Sequence, residues 1–191
     1  MPTLTTNPRV QMLVENEGFR STPYKDSRGK KTIGIGFNID DPTVARTIGS
    51  RASMTKPEAM DILSAILLPR AEYEAATYIG PKIFNSLNPA GQDALVDMSF
   101  NLGATTLNKF EGVRTAIQQG DANQAFNEVL DSDYAQQVPS RALRNAYMLR
   151  TGQRVTKEQA VRMFQAEQSL IPDGVIGSKT KAALKRFRRK K

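Results

Sequence analysis

The stretch NEGFRSTPYKDSRGKKTIGIGF, residues 16–37, divides the chain into two kinds of sequence. Just before it, Asn7-Pro8 reads as an N-cap followed by the first helical residue, opening a helix through about Glu17. Within it, Gly29, Gly34 and Gly36 punctuate an alternation of Tyr24, Thr32, Ile33, Ile35 and Phe37. That pattern predicts a small antiparallel β-element with tight turns over 21–40. After it, the signals are helical. Thr55 and Glu58 form a capping box that starts a long helix to about Tyr78, with Met60, Ile62, Leu63, Ile66 and Leu67 at helical spacing. Asn88-Pro89 opens a further helix that Gly103 closes. Shorter helices are expected at about 107–119, 122–131 and 139–150. Thr156 with Gln159 makes another capping box, and Ser178 caps a last helix. The predicted fold class is α+β, mostly helical and two-lobed, with an early β-containing lobe joined by the long helix to a helical one.

The same stretch holds two carboxylates. Val10, Leu13 and Val14 form an apolar stripe on the first helix, and Glu17, seven residues after Val10, falls near its middle. Glu15 points away. Burial disfavours a charged carboxylate, so Glu17 is expected to hold its proton more tightly than usual. Asp26 sits in a polar turn, Lys25-Asp-Ser-Arg28, where it stays ionised. Two carboxyl groups with opposite protonation states form the working pair of glycoside hydrolysis. By spacing alone, a glutamate at a helix end is more often a structural ion-pair partner, and an aspartate in a turn rich in Lys and Arg is usually a solvated turn residue.

Composition removes the main competing chemistries. The 191-residue chain has no cysteine and no histidine. Disulfides, thiolate metal sites, Ser-His-Asp and Cys-His nucleophile systems and histidine-ligated zinc are therefore excluded. No apolar run approaches the roughly 18 residues of a membrane span. The opening MPTLTTNPRV shows neither an apolar core nor a cationic front, so no secretory signal is expected. The net charge of +8 is uneven. Residues 1–152 balance, whereas 153–191 carry 11 Lys/Arg against 3 acids. Such a tail points to an anionic target.

The run E-G-x-R, then Y-K-D, then G-x-x-T-I-G-I-G resembles the active-site region of the phage-type lysozymes, the endolysin muramidases of tailed bacteriophages. Their motif is Glu, eight residues, Asp, five residues, Thr, and Glu17, Asp26 and Thr32 stand at that spacing. MTKPEAMDIL (54–63), ALVDMSFNLG (94–103), AIQQGDANQAFNEVLDSDY and VPSRALRNAYMLRTG resemble later segments of the same family, in order. The resemblance implies Glu17 as general acid, Asp26 as second carboxylate and Thr32 as a holder of the attacking water. It implies substrate contacts from Phe100, Asn101 and Asn127, and an Arg141 that matches an arginine paired with the catalytic Glu. The implied activity is inverting cleavage of the β-1,4 bond between N-acetylmuramic acid and N-acetylglucosamine, with no metal or organic cofactor. The implied partner is bacterial peptidoglycan, met by a monomer made in the host cytoplasm, as a free lysin or a virion component. Phe37 departs from the pattern, since the family commonly has His there. Asn38 and Val113 depart as well. A lytic transglycosylase, a non-catalytic wall-binding protein and a nucleic-acid binder are the rival readings, although the last leaves the carboxylate motif unexplained.

The expected domains are 1–152, catalytic, and 153–191, a basic helical segment. FQAEQSLIPDGVIGSKTKAAL (164–184) resembles the second half of a helical peptidoglycan-binding repeat. There Val175 and Ile176 are expected to pack between two helices. The segment is equally compatible with a helical hairpin docked on the lysozyme lobe, and the ending KRFRRKK, 185–191, with a solvated terminus or with adhesion to an anionic envelope surface; no nucleic acid is expected as a partner.

Overall fold

A computed structural model describes residues 7–25 and 29–188. Its contacts divide the chain into two compact units, 1–70 and 71–191.

The first unit begins with α1 (Pro8–Glu17), whose N-cap Asn7 accepts a hydrogen bond from the Arg9 amide at 2.9 Å. Gly18, at φ 69°, ends it. The chain then forms β1 (Arg20–Lys25), β2 (Lys31–Gly34) and β3 (Phe37–Asn38), an antiparallel sheet in sequence order. Tyr24 pairs with Thr32, Thr32 with Asn38, and Ile33 with Phe37. The β-element expected from the glycine pattern is therefore present. Ile33, Ile35 and Phe37 are buried together with Val10 and Leu13 of α1. Helix α2 (Pro42–Ile48) follows, capped by Asp41, whose other carboxylate oxygen accepts from Arg70 at 2.7 Å.

The long helix starts as expected, at the Thr55–Glu58 capping box of α3 (Lys56–Ile62). It is not uniform. Residues Leu63–Leu67 form a π-helical turn, in which the Leu68 amide bonds the Leu63 carbonyl, before α4 (Leu68–Ile79) resumes. Pro69 supplies the reason, since it cannot donate to the carbonyl four residues back and its ring crowds that carbonyl. The boundary between the units falls inside α4.

The second unit continues through α5 (Pro81–Ser86), α6 (Pro89–Leu102), α7 (Ala104–Leu107), α8 (Glu111–Gln118), α9 (Ala122–Leu130), α10 (Asp133–Gln137) and α11 (Pro139–Thr151). Most of α6 is buried on every side, as expected of a helix at the centre of a bundle. It packs on α11, which also meets α9 and α12 (Lys157–Glu167). Two charged contacts tie α12 and its approach to this bundle. Arg154 reaches the buried Asp93 at 2.5 Å, and Arg150 pairs with Glu167.

Gln165, fully buried, organises the loop from α12 to α13 (Ser178–Lys185). Its amide nitrogen donates to Asp173, to the Val175 carbonyl and to Thr180, while its oxygen accepts from the Gly174 amide. Only one of the two residues expected to fill this hairpin does so. Ile176 is half-buried, but Val175 is 62% exposed, because its backbone is held by Gln165 with the side chain outward. Beyond α13, Phe187 packs edge-on against Phe126 and tilted against Phe164. Among the described residues, no helix is long and apolar enough to cross a membrane.

Candidate functional site

The candidate acid lies where α1 ends. Glu17 is half-buried, at the edge of the stripe made by the fully buried Val10 and Leu13, while Glu15 is exposed. Its neighbour across the unit is Gly36, in the turn between β2 and β3. A Cβ built on Gly36 would stand 2.9 Å from Glu17 Oε2, 3.1 Å from its Cγ and 3.2 Å from its Cβ. Gly36 also has φ 68°, a conformation that side chains resist. Two requirements thus coincide at one residue: a left-handed turn, and a flat seat for the length of the Glu17 side chain.

Gly34, at φ 67°, completes the turn. A Cβ there would meet Met54 Sδ at 2.6 Å and the Phe37 ring at 2.9 Å. Phe37, where the resemblance leads one to expect histidine, is 1% exposed and lies beneath this turn. Its ring is a packing element of the sheet.

Thr32 occupies β2 and is 4% exposed. Its hydroxyl donates to the Lys30 carbonyl at 3.1 Å. A hydroxyl has a single proton to donate but two acceptor sites. With the proton directed at Lys30, Thr32 offers acceptor character to anything else that approaches. Asp26 lies outside the described residues.

The remaining candidates belong to the second unit. Phe100 and Asn101 are half-buried at the end of α6, and Asn101 Oδ1 is a buried acceptor without a hydrogen bond among the described residues. Asn127, on α9, is exposed. Arg141, on the first turn of α11, is 6% exposed. Its Nε and Nη2 both donate to Asp97 at 2.9 Å. Asp97 is fully buried and also accepts from Arg144 at 3.2 Å and from Asn145 at 2.7 Å. Burial by itself would raise the Asp97 pKa; Arg141, Arg144 and Asn145 outweigh it and hold the carboxyl below the usual range. The sequence reading did not single out Asp97. Its signal was a lone carboxylate in the apolar run ALVDMSF, where a helix buried on all sides must give any charge a partner.

Residues 14–148 match the phage lysozyme family. The chain is 30% identical over 159 residues to the pre-baseplate central spike protein Gp5 of Enterobacteria phage T4. That alignment covers 75% of this chain and 28% of the spike protein, so the chain spans little more than a quarter of that relative. It is 27% identical over 157 residues to the probable T4-type lysozyme 2 of Dictyostelium discoideum, covering 74% of this chain and 92% of that protein. The family match runs from α1 through most of α11 and takes in Glu17, Thr32 and the β-element between them. The chain belongs to the phage lysozyme family, whose glycosidase activity is the hydrolysis of peptidoglycan.

Proposed function

We propose that the chain is a muramidase that hydrolyses the β-1,4 bond between N-acetylmuramic acid and N-acetylglucosamine and thereby lyses bacterial cells. Glu17 protonates the leaving oxygen. Asp26 and Thr32 orient a water for attack on the opposite face of the sugar, in a single inverting displacement. Such a displacement needs carboxyl groups roughly 6.5–9.5 Å apart to admit that water. Phe100, Asn101, Asn127 and Arg141 bind the glycan. The unpaired, buried Oδ1 of Asn101 suits an acetamido or hydroxyl donor, and the Asp97 clamp gives the Arg141 guanidinium one fixed orientation.

The observation that carries the reading is the seating of Glu17. A surface glutamate at a helix end needs no glycine pressed along its side chain, but a general acid needs one fixed position for its proton. The test is Glu17→Gln, which keeps the shape and removes the acidic proton. A folded variant should lose on the order of 10²–10⁴ in rate on purified walls. Wild-type turnover in that variant would overturn the assignment. Proton NMR early in the reaction should show the α-anomer first, since inversion at a β-linked carbon gives α. A β-anomer would show retention, and anhydro-muramic ends would show a transglycosylase.

A further inference from the structure

The basic segment does not carry its charge evenly. Arg154, Arg162 and Arg188 each pair with a carboxylate, on Asp93, Glu158 and Asp133 respectively. Lys179, Lys181, Lys185 and Arg186 are exposed and make no ion pair among the described residues. These four share one side of α13 and the turn after it. At about 100° per residue, Lys179, Lys181, Ala182, Lys185 and Arg186 fall within half the helix circumference. The other half buries Thr180, Ala183 and Leu184. No acidic residue occurs between Gly174 and Arg188. The loop leading into α13 adds Ile171, 80% exposed, and Val175, 62% exposed. Among the described residues these are two of three large hydrophobics so exposed, the third being Tyr73.

We infer that the outer face of α13, with Ile171 and Val175 at its leading end, is a docking surface for anionic phospholipid. Cations along a helix match a layer of headgroup phosphates, and exposed aliphatic side chains gain by entering the interfacial zone. The aliphatic pair is what selects lipid over nucleic acid. Phosphates of a nucleic acid would satisfy the lysines but give Ile171 and Val175 nothing, and this face presents no aromatic ring for bases to stack on. The surface differs from the one expected at 185–191. It begins at Lys179, and Phe187 is turned inward onto Phe126 and Phe164, so the aromatic anchors the hairpin to its own unit. Residues 189–191 lie outside the described ones.

The proposal is independent of the hydrolytic reading and is tested without activity. The full chain is sedimented with vesicles of phosphatidylcholine alone and of phosphatidylcholine with phosphatidylglycerol. Three variants are compared after each is shown to melt as the wild type does: Lys179→Gln/Lys181→Gln/Lys185→Gln; the charge-matched control Lys56→Gln/Lys82→Gln/Lys109→Gln; and Ile171→Ser/Val175→Ser. Each cation near an anionic surface contributes about fivefold in partition, so the α13 triple should lose roughly a hundredfold on the anionic vesicles. The control should stay within about twofold of wild type, because its lysines stand on α3, α5 and the turn after α7 and not on α13, and attraction to the vesicle falls off over a Debye length of about 8 Å. The serine pair should weaken vesicle binding severalfold and leave binding to duplex DNA unchanged. No preference for anionic vesicles, or equal losses in the two lysine triples, would overturn the proposal. Unchanged vesicle binding by the serine pair would also overturn it, reducing the face to a polyanion patch without lipid selectivity.

Discussion

Gly36→Ala puts the seating of Glu17 under direct strain. Two costs follow from one methyl group. The first is conformational: φ is 68°, and a side chain in the left-handed region costs about 1–2 kcal/mol. For a chain of this size that lowers the melting temperature by roughly 2–8 °C. The second is steric and local. The new Cβ would meet three atoms of Glu17 between 2.9 and 3.2 Å, from the carboxylate oxygen back to Cβ. Because the overlap extends along the side chain, rotating the carboxylate alone does not relieve it. The carboxylate oxygen must turn aside and the contacts at Cγ and Cβ must open by a few tenths of an ångström; since displacing a reacting group by about 1 Å costs up to 10²-fold in rate, this smaller shift costs less. The control is Gly49→Ala, which has φ 59° and nothing within 4 Å of its Cβ position. At ψ −146° it carries a positive-φ cost of its own without the contact. We expect both variants to melt earlier, with turnover on purified walls falling severalfold to about tenfold only in Gly36→Ala. Full activity in the folded Gly36→Ala protein would refute the view that this glycine positions Glu17. An equal loss in Gly49→Ala would trace the effect to general loosening of the unit.

Two further perturbations act on the second unit. Asp97→Ala leaves Arg141 and Arg144 buried without their carboxylate and should cost about 3–5 kcal/mol in a thermal or urea melt. Asp97 titrates lower in the folded chain than in the unfolded one, so its contribution is present above the unfolded value near 3.8 and is lost as pH falls through the lower folded value. Asp97→Asn should therefore flatten the acid limb of the stability profile. Gln165→Leu removes the donor and acceptor that hold Asp173, Gly174, Val175 and Thr180. It should cost about 1–3 kcal/mol, read as lost hydrogen-exchange protection over residues 169–177 while α6 stays protected.

The sequence disclosed elements wherever a cap stood beside a periodic run. The Asn7-Pro8, Thr55–Glu58, Asn88-Pro89 and Thr156–Gln159 starts are all observed as N-caps, whereas Ser178, expected to cap the last helix, is its first residue and Gly177 the N-cap. Helices α2, α5, α7 and α10 escaped it. Asp41-Pro42 and Gly80-Pro81 are starts of the same type, but the helices they open have 7 and 6 residues, too short for periodicity to register. The π turn depends on Pro69 inside an otherwise strong helical pattern, and a hydrophobic period does not report such a local shift of hydrogen bonding. At the candidate site, residue types and spacing drew attention to Glu17 and Thr32, and the glycines to a turn. Spacing did not disclose that Gly36 lies against Glu17, because that contact joins a helix end to a sheet turn 19 residues later. Nor did it disclose the hold of Asp97 on Arg141, which spans 44 positions in the chain. The orientation of Val175 was misjudged for a related reason. Its apolar character suggested packing, but Gln165 fixes the backbone and turns that side chain out.

The hydrogen-bonding direction of Thr32 turns its role into a test. Its proton goes to the Lys30 carbonyl, so toward a water it is an acceptor. An acceptor beside a nucleophilic water takes one of its hydrogens and turns its lone pair toward the sugar. It takes no net proton, so in the proposed displacement Thr32 would position the water while a carboxylate such as Asp26 receives the proton. Thr32→Ser keeps the hydroxyl and should keep most of the rate. Thr32→Val keeps the volume and removes the acceptor. The expected loss is about tenfold to a hundredfold in kcat, corresponding to one hydrogen bond of roughly 1–3 kcal/mol made to the reacting water. KM should change little, since Thr32 is proposed to touch the water and not the glycan. The Lys30 carbonyl it releases belongs to an exposed residue and can turn to solvent, so stability should fall by less than about 1 kcal/mol. A Thr32→Val enzyme with wild-type kcat would remove Thr32 from the displacement. A loss shared equally by the serine variant would mean that the methyl group, packed in the sheet, matters more than the hydroxyl.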